Sequence, residues 1–188
     1  MEDKISLRNT ALSLRNSISS EKRAEKSEII AKKLEDLDVF KKAKHILFYF
    51  SIGSEVSTIP LIGDWSDKKR LYLPKLINEA EFIALPFRGF ERLKKGIYGI
   101  PEPEYRGKSE PFKGSLDLII VPGVAFDENC NRLGMGKGFY DRFLAKLDSV
   151  PKIALYFEEQ ILAQIPKENY DKPVDILLTD KNIYYLKK

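Results

Sequence analysis

The sequence predicts a single α/β domain whose largely parallel sheet is covered on both faces. Three observations carry that prediction. Short apolar runs rich in β-branched and aromatic residues, at 45–50, 116–121, 152–157 and 176–179, alternate with stretches of helical period. A glycine-rich string, Gly134-Met-Gly-Lys-Gly-Phe-Tyr-Asp141, sits between one such run and an apolar-faced helix. The chain has 188 residues, 43% hydrophobic and 32% charged, which suits one compact domain with a real core.

Charge and cysteine content narrow the function classes. Lys and Arg number 32 against 28 Asp and Glu, a net charge of +4. That mild excess suits small anionic substrates and is too evenly spread to argue for nucleic acid. The one cysteine, Cys130, excludes an internal disulfide and fits a reducing compartment. The first ten residues carry no apolar signal-peptide segment, and no apolar run reaches membrane-spanning length. The expectation is a cytoplasmic monomer with neither a membrane nor a nucleic-acid partner.

The elements follow in order. Residues 3–16 read as a helix with Ile5, Leu12 and Leu14 as its apolar contacts. Lys4 and Arg8 share one face four residues apart, with Arg15 close to it, and by spacing alone this is a solvated basic stripe. Ser19 or Ser20 starts a second helix running to about Leu37, with Ile30, Leu34 and Leu37 as its buried stripe. His45–Phe50 is a strand, and the lone His45 reads as structural. Glu55 follows in the loop, where it serves equally as a helix-start residue or as a ligand contact at the end of a strand. A short helix runs from Ser57 or Thr58 to Trp65, with Pro60 in its first turn. Strands at 70–75 and 81–87 flank a turn near Asn78. Residues 94–103, with two glycines and two prolines, are expected to be irregular. Arg106–Ser115 is a polar loop. Leu116–Val121 is a buried strand, and Asp127–Asn131 a polar loop before the glycines. Phe139, Phe143 and Leu147 give the next helix its apolar face. Lys152–Phe157 is a strand, Glu158–Leu162 a short helical piece, Ile176–Thr179 a last buried strand, and Ile183–Leu186 a short edge strand.

The glycine string is equipped for an anion. Three glycines in five residues let backbone N–H groups approach a ligand, and a helix start follows with its positive dipole end. Arg132 and Lys137 add cations. Yet a P-loop needs glycine at 131, where Asn131 stands, and a hydroxyl at 138, where Gly138 stands. A dinucleotide fingerprint needs its third glycine at 139, which is Phe139. Spacing alone therefore fits a tight turn before a helix as well as a phosphate cradle. No Ser-His-Asp or Cys-His set is evident, and no base accompanies Cys130. Cations, glycines and a few carboxylates fit phosphoryl transfer, where positioning and charge neutralisation dominate.

The longer string is more specific. Val121-Pro-Gly-Val-Ala-Phe-Asp127 followed by Asn131-Arg-Leu-Gly-Met-Gly-Lys-Gly-Phe-Tyr-Asp141 resembles the signature of the 5-formyltetrahydrofolate cyclo-ligases, also called methenyltetrahydrofolate synthetases. Further patches agree: the N-terminal lysine and arginine, Glu55-Val-Ser-Thr58, Gly99-Ile-Pro-Glu-Pro103 and Asp171-Lys-Pro-Val-Asp175. The resemblance implies a three-layer α/β/α, Rossmann-like fold. It implies ATP- and Mg²⁺-dependent closure of 5-formyltetrahydrofolate to 5,10-methenyltetrahydrofolate. It implies ATP contacts from Lys4, Arg8, Arg132, Leu133, Gly134, Met135, Gly136, Lys137, Gly138, Phe139 and Tyr140. It implies folate contacts from Phe50, Glu55 and residues 135–140 (Met135, Gly136, Lys137, Gly138, Phe139 and Tyr140), with Lys137 and Arg132 as the catalytic cations. Asp141 is the expected Mg²⁺ ligand. Asp175 is placed near the metal by the resemblance and is otherwise a turn residue before a strand. Phe139 departs from the tyrosine many relatives carry there, and core packing of the helix start is its other role. Two rival readings remain: a nucleotide- or RNA-binding module without turnover, and a small-molecule kinase.

Overall fold

The computed structural model describes residues 3–105 and 114–187. The expected loop at 106–115 lies outside the described residues as far as 113. Along the chain run α1 (Lys4–Ser17), α2 (Ser20–Asp36), α3 (Asp38–Lys42), β1 (His45–Leu47), α4 (Ile59–Trp65), β2 (Arg70–Leu76) and β3 (Phe82–Pro86). A small hairpin, β4 (Leu93–Lys95) and β5 (Pro101–Pro103), follows. Then come β6 (Leu118–Val121), β7 (Ala125–Asp127), β8 (Arg132–Leu133), α5 (Phe139–Leu144) and β9 (Lys152–Tyr156). The chain closes with β10 (Ile161–Leu162), β11 (Ile176–Thr179) and β12 (Ile183–Tyr185).

Seven strands form the main sheet in the order β12-β11-β9-β6-β1-β2-β3. The five inner strands are mutually parallel; β12 and β3 pair antiparallel at the two edges. Side chains alternate with the pleat. Ile46, Leu118, Ile120, Ile153, Leu155 and Leu178 point to one face, where Ile30 and Leu34 of α2, Phe40 of α3 and Ile62 of α4 cover them. Leu47, Ile119, Val121, Ala154 and Leu177 point to the other, under Leu144 of α5, Phe126 and Val174. The third layer is thin: one six-residue helix and a small sheet in the order β10-β7-β8.

Several boundaries differ from the sequence reading. In α1 the buried residues are Leu7 and Ala11, while Ile5 is 66% exposed. The helix packs on the β7–β8 ribbon through Val124, Ala125 and Leu133, which selects that stripe over the one through Ile5. Strand β1 ends at Leu47, not Phe50: Phe48 N–H still donates to the Tyr72 carbonyl at 2.9 Å, after which the Tyr49 carbonyl and the Ser51 N–H bond to the Thr58 hydroxyl. The 94–103 segment is a hairpin rather than irregular; Pro101 and Pro103 are tolerated because the ribbon has only two strands. The loop at 127–131 is the turn of the β7–β8 hairpin. Helix α5 stops at Leu144, short of Leu147, and Glu158–Gln160 forms a single 3-10 turn before β10.

Strand order fixes where a ligand can sit. From β1 the chain builds β2 and β3 on one side, then returns to lay β6, β9 and β11 on the other. The reversal lies between β1 and β6. Open α/β sheets bind ligands outside the C-terminal ends of strands at such a point.

Candidate active site

A cleft of about 1070 Å³ opens at that position. The segments that leave β1 and β6, at Phe50–Glu55 and Pro122–Gly123, both line it. So do α1, the glycine loop, the β4–β5 turn and residues 168–171.

Helix α1 begins on an Asp3 cap, whose carboxylate accepts from the N–H groups of Ile5 and Ser6 at 2.9 and 2.7 Å. Its cations lie beside the buried Leu7–Ala11 stripe and face the cleft, so the basic stripe is not simply solvated. The helical rise spaces Lys4 and Arg8 by about 6 Å, and Arg8 and Arg15 by about 10 Å. Lys4 Nζ meets Asp171 at 2.6 Å and Glu168 at 3.2 Å. Burial lowers its pKa, but the hydrogen bonds to those carboxylates outweigh it and hold the ammonium above its ordinary value. Arg8 Nε–H donates to the Gly134 carbonyl at 2.8 Å. Arg15 Nε–H donates to Ser54 Oγ at 2.9 Å, and its Nη1 lies 4.0 Å from Glu55 Oε1.

Glu55 is aimed by its own loop. Thr58 Oγ1 donates to the Tyr49 carbonyl at 2.7 Å and accepts from the Ser51 N–H, while Ser51 Oγ accepts from the Thr58 N–H. Ile52 N–H donates to Glu55 Oε2 at 2.9 Å. Burial raises the Glu55 pKa; the Ile52 N–H and the Arg15 charge pull it back part of the way. Phe50 lines the same end of the cleft. Tyr49, Tyr140 and Tyr156 are neighbours whose phenols are pushed up by burial, so they stay protonated.

The turn before Arg132 explains the polar residues of the motif. Asp127 is fully buried; its Oδ1 accepts from the N–H groups of Asn129 and Asn131, and its Oδ2 from Asn131 Nδ2 and the Ile165 N–H, all at 3.0–3.1 Å. Cys130 takes the left-handed conformation at φ 62° inside this turn. Its thiol is raised to about 11 by burial, with Asp127 and Asp175 adding, so it carries no thiolate. Arg132 then emerges under the glycine loop. Its Nη2 donates to Asp141 Oδ1 at 2.6 Å and its Nη1 to the Pro122 carbonyl at 3.3 Å. Arg132 Nε and the Tyr140 hydroxyl are buried without a hydrogen-bond partner among the described residues.

The structure therefore brings Lys4, Arg8, Phe50, Glu55, Arg132, Leu133, Gly134, Met135, Gly136, Lys137, Gly138, Phe139, Tyr140 and Asp141 to one cleft. Gly136 (φ 93°) and Gly138 (φ 66°) hold conformations that other residues resist, so the loop's shape depends on them. Lys137 is exposed and turns to Tyr98, donating to its hydroxyl at 2.7 Å. Asp175 does not join the group. It is exposed at the start of β11, and its carboxylate accepts from the Lys152 N–H at 2.7 Å, at the opposite ends of the parallel strands. Tyr98, Tyr170 and Asp171 were missed. Lone residues in turns carry no periodicity, and only the Gly99–Pro103 and Asp171–Asp175 patches stood near them.

A magnesium ion bound with a nucleotide takes one or two carboxylates and fills its other positions with phosphate oxygens and water. Asp141 fits that pattern: Oδ1 is engaged by Arg132 and by the Lys172 N–H at 3.2 Å, and Oδ2 has no hydrogen bond among the described residues. No cluster of three His, Cys, Asp or Glu residues is arranged for a metal among the described residues.

The model of the 5-formyltetrahydrofolate cyclo-ligase family matches residues 1–180. The chain belongs to this family. It is 36% identical to the 5-formyltetrahydrofolate cyclo-ligase of Haemophilus influenzae over 144 residues, 73% of this chain and 77% of that one. It is 31% identical to the probable cyclo-ligase of Caenorhabditis elegans across 93% and 91% of the two chains. The solution structure of Aquifex aeolicus 5,10-methenyltetrahydrofolate synthetase superposes with a TM-score of 0.82 at 34% identity, covering 98% of this chain and 93% of that one. A methenyltetrahydrofolate synthetase from Mycoplasma pneumoniae shares the fold, with a TM-score of 0.76 at 24% identity. No helix among the described residues is long and apolar enough to cross a membrane.

Proposed function

We propose that this cleft runs the cyclo-ligase reaction with the folate at the Arg15 end and ATP along α1 and the glycine loop. The chain is an enzyme that converts 5-formyltetrahydrofolate to 5,10-methenyltetrahydrofolate with ATP. The observation that carries the site reading is the convergence of Arg8, the glycine loop, Glu55 and Phe50 on one cleft at the sheet's switch point.

Glu55 suits the donor edge of the pterin, whose amino group and ring N–H pair with a carboxylate. Phe50 walls the flat ring. The 5-formyl oxygen attacks the γ-phosphorus of ATP, and ADP leaves. Formyl carbon then carries a phosphate leaving group. N10 of the same substrate attacks that carbon, gives up its proton and expels phosphate, closing the ring. Both nucleophiles belong to the substrate, and the neutral buried phenols and the protonated Cys130 fit a site with no protein nucleophile.

Arg8 and Lys137 hold phosphate oxygens beside the backbone N–H groups of residues 134–138. Lys137 stands on an exposed loop with its ammonium on the Tyr98 hydroxyl, and from there it reaches the transferred phosphoryl group. Arg132 acts from below as the partner of Asp141. Mg²⁺ would be held by Asp141 with phosphate oxygens and water, and supplies charge neutralisation there. In this reading residues 1–188 act as one cyclo-ligase-like domain and as a monomer.

The test is the methenyl absorbance band formed from 5-formyltetrahydrofolate, Mg²⁺ and ATP. The wild-type enzyme produces it, and Lys137→Ala lowers kcat by roughly 10²–10³-fold, the scale of one lost transition-state charge contact. Stability should hold within about 0.5 kcal/mol, because Lys137 is exposed. A normal kcat in Lys137→Ala would remove this residue from the chemistry.

A further inference from the structure

The glycine loop is held from behind as well as from the cleft. Residues 132–141 line the cleft, and Arg142, next on α5, reaches back to the loop's backbone. Its Nη2 donates to the Lys137 carbonyl at 2.8 Å. The same nitrogen donates to the Ala80 carbonyl at 2.6 Å, and Nε–H donates to that carbonyl at 2.8 Å. One guanidinium therefore ties the loop to the turn between β2 and β3. That turn is itself fixed: Asn78 Oδ1 accepts from the N–H groups of Ala80 and Glu81 at 2.8 Å each.

The bond falls where the loop is softest. Gly136 and Gly138 flank Lys137, and glycine takes either sign of φ, so the peptide between 137 and 138 has no steric reason to face one way. A trans peptide carries its carbonyl and its N–H on opposite sides. With the Lys137 carbonyl drawn to Arg142, the Gly138 N–H points away from it, and no acceptor takes that N–H among the described residues. An unpaired backbone N–H in such a loop is a donor for an anionic oxygen. Glycine at 138 also leaves room for the clamp, since a Cβ there would stand 2.8 Å from Arg142 Nη1.

We propose that Arg142 is a positioning residue for the nucleotide: it holds the 137–138 peptide with the N–H turned to the phosphates. This rests on the reading of the glycine loop as the phosphate site. Arg142 touches neither substrate and acts through one peptide group.

Formation of the methenyl band by the full chain tests this, with ATP and 5-formyltetrahydrofolate varied in turn. Arg142→Met keeps an aliphatic stem beside Phe139 and removes the donors. It raises KM for ATP about tenfold, the scale of one charge-assisted hydrogen bond lost, with kcat nearly kept and folate KM within about twofold. Lys146→Met is the control: it removes a second link between α5 and the same turn, the Lys146–Glu81 pair at 3.1 Å, and leaves both KM values unchanged. An unchanged ATP KM in Arg142→Met beside a raised one in Gly136→Ala overturns the clamp and keeps the phosphate site. Unchanged ATP KM in both variants refutes the phosphate site and the clamp with it. Equal rises for the two substrates, or the same rise in Lys146→Met, overturn the proposal too, since Arg142 would then only dock α5.

Discussion

Asp141→Ala strands a guanidinium. The Arg132 side chain is 4% exposed and Asp141 is 17% exposed, with 2.6 Å between Nη2 and Oδ1. Removing the carboxylate leaves Arg132, among the described residues, the Pro122 carbonyl at 3.3 Å. Breaking a buried pair from one side costs about 3–5 kcal/mol. Arg132→Leu is the milder change: it strands a more solvated carboxylate that keeps the Lys172 N–H, at a cost of about 1–3 kcal/mol. The double variant replaces both charges with apolar groups and recovers at least about 1 kcal/mol relative to Asp141→Ala. Urea unfolding followed through Trp65, the one tryptophan, reads all three. In a domain of this size the Asp141→Ala loss lowers Tm by roughly 6–20 °C. Two equal single-site losses, or a double loss equal to their sum, would refute the reasoning and show that the two groups are solvated independently.

Two further predictions concern the same cleft. Burial holds the Glu55 pKa up, while the Ile52 N–H and Arg15 oppose it. Arg15→Met removes one opposing charge, so Glu55 protonates at higher pH and the acid-side rise in folate KM moves to higher pH; an unmoved profile of KM against pH would separate Arg15 from Glu55. Gly136→Ala puts a side chain at φ 93° and 3.4 Å from the Arg8 guanidinium carbon. The backbone strain is about 1–2 kcal/mol, and its relief shifts the loop, raising KM for ATP while folate KM is kept. Equal ATP affinity in the variant would show that the loop's shape does not set the phosphate site.

What was legible in the sequence had local causes. β6 and β9 read as strands because consecutive residues on both faces are buried, which leaves a continuous apolar run. The Ser19 cap, Pro60 in the first turn of α4 and the Asn78 turn are signals a single residue can carry. The cleft residues of the glycine string came from a long resemblance, since the glycine spacing alone matched no standard loop. The rest needed the third dimension. α1 has few apolar residues, so its inward stripe was decided by the ribbon it meets. Tyr98 and Tyr170 matter because of what lies across the cleft. Asp175 shows the converse: its motif resemblance is good, but the register of β11 against β9 sets it at the wrong ends of the strands to meet Asp141.

The site's contacts also span most of the chain. Arg8 and Gly134 are 126 residues apart in sequence, and Lys4 and Asp171 are 167 apart. In the folded chain α1 reaches the glycine loop by lying on the β7–β8 ribbon that follows β6. The cleft is thus closed by long-range contacts, while Asp127 and the Ser51–Thr58 pair shape their own turns locally. This division makes the two halves of the site respond differently to perturbation. Changes at Lys4 and Arg8, in the first half of α1, should loosen the nucleotide end before they disturb Glu55, whose loop is closed by the Ser51–Thr58 pair and meets α1 further along, at Arg15 and Asn16. Loss of ATP affinity ahead of folate affinity under mild denaturant is the signature of that asymmetry.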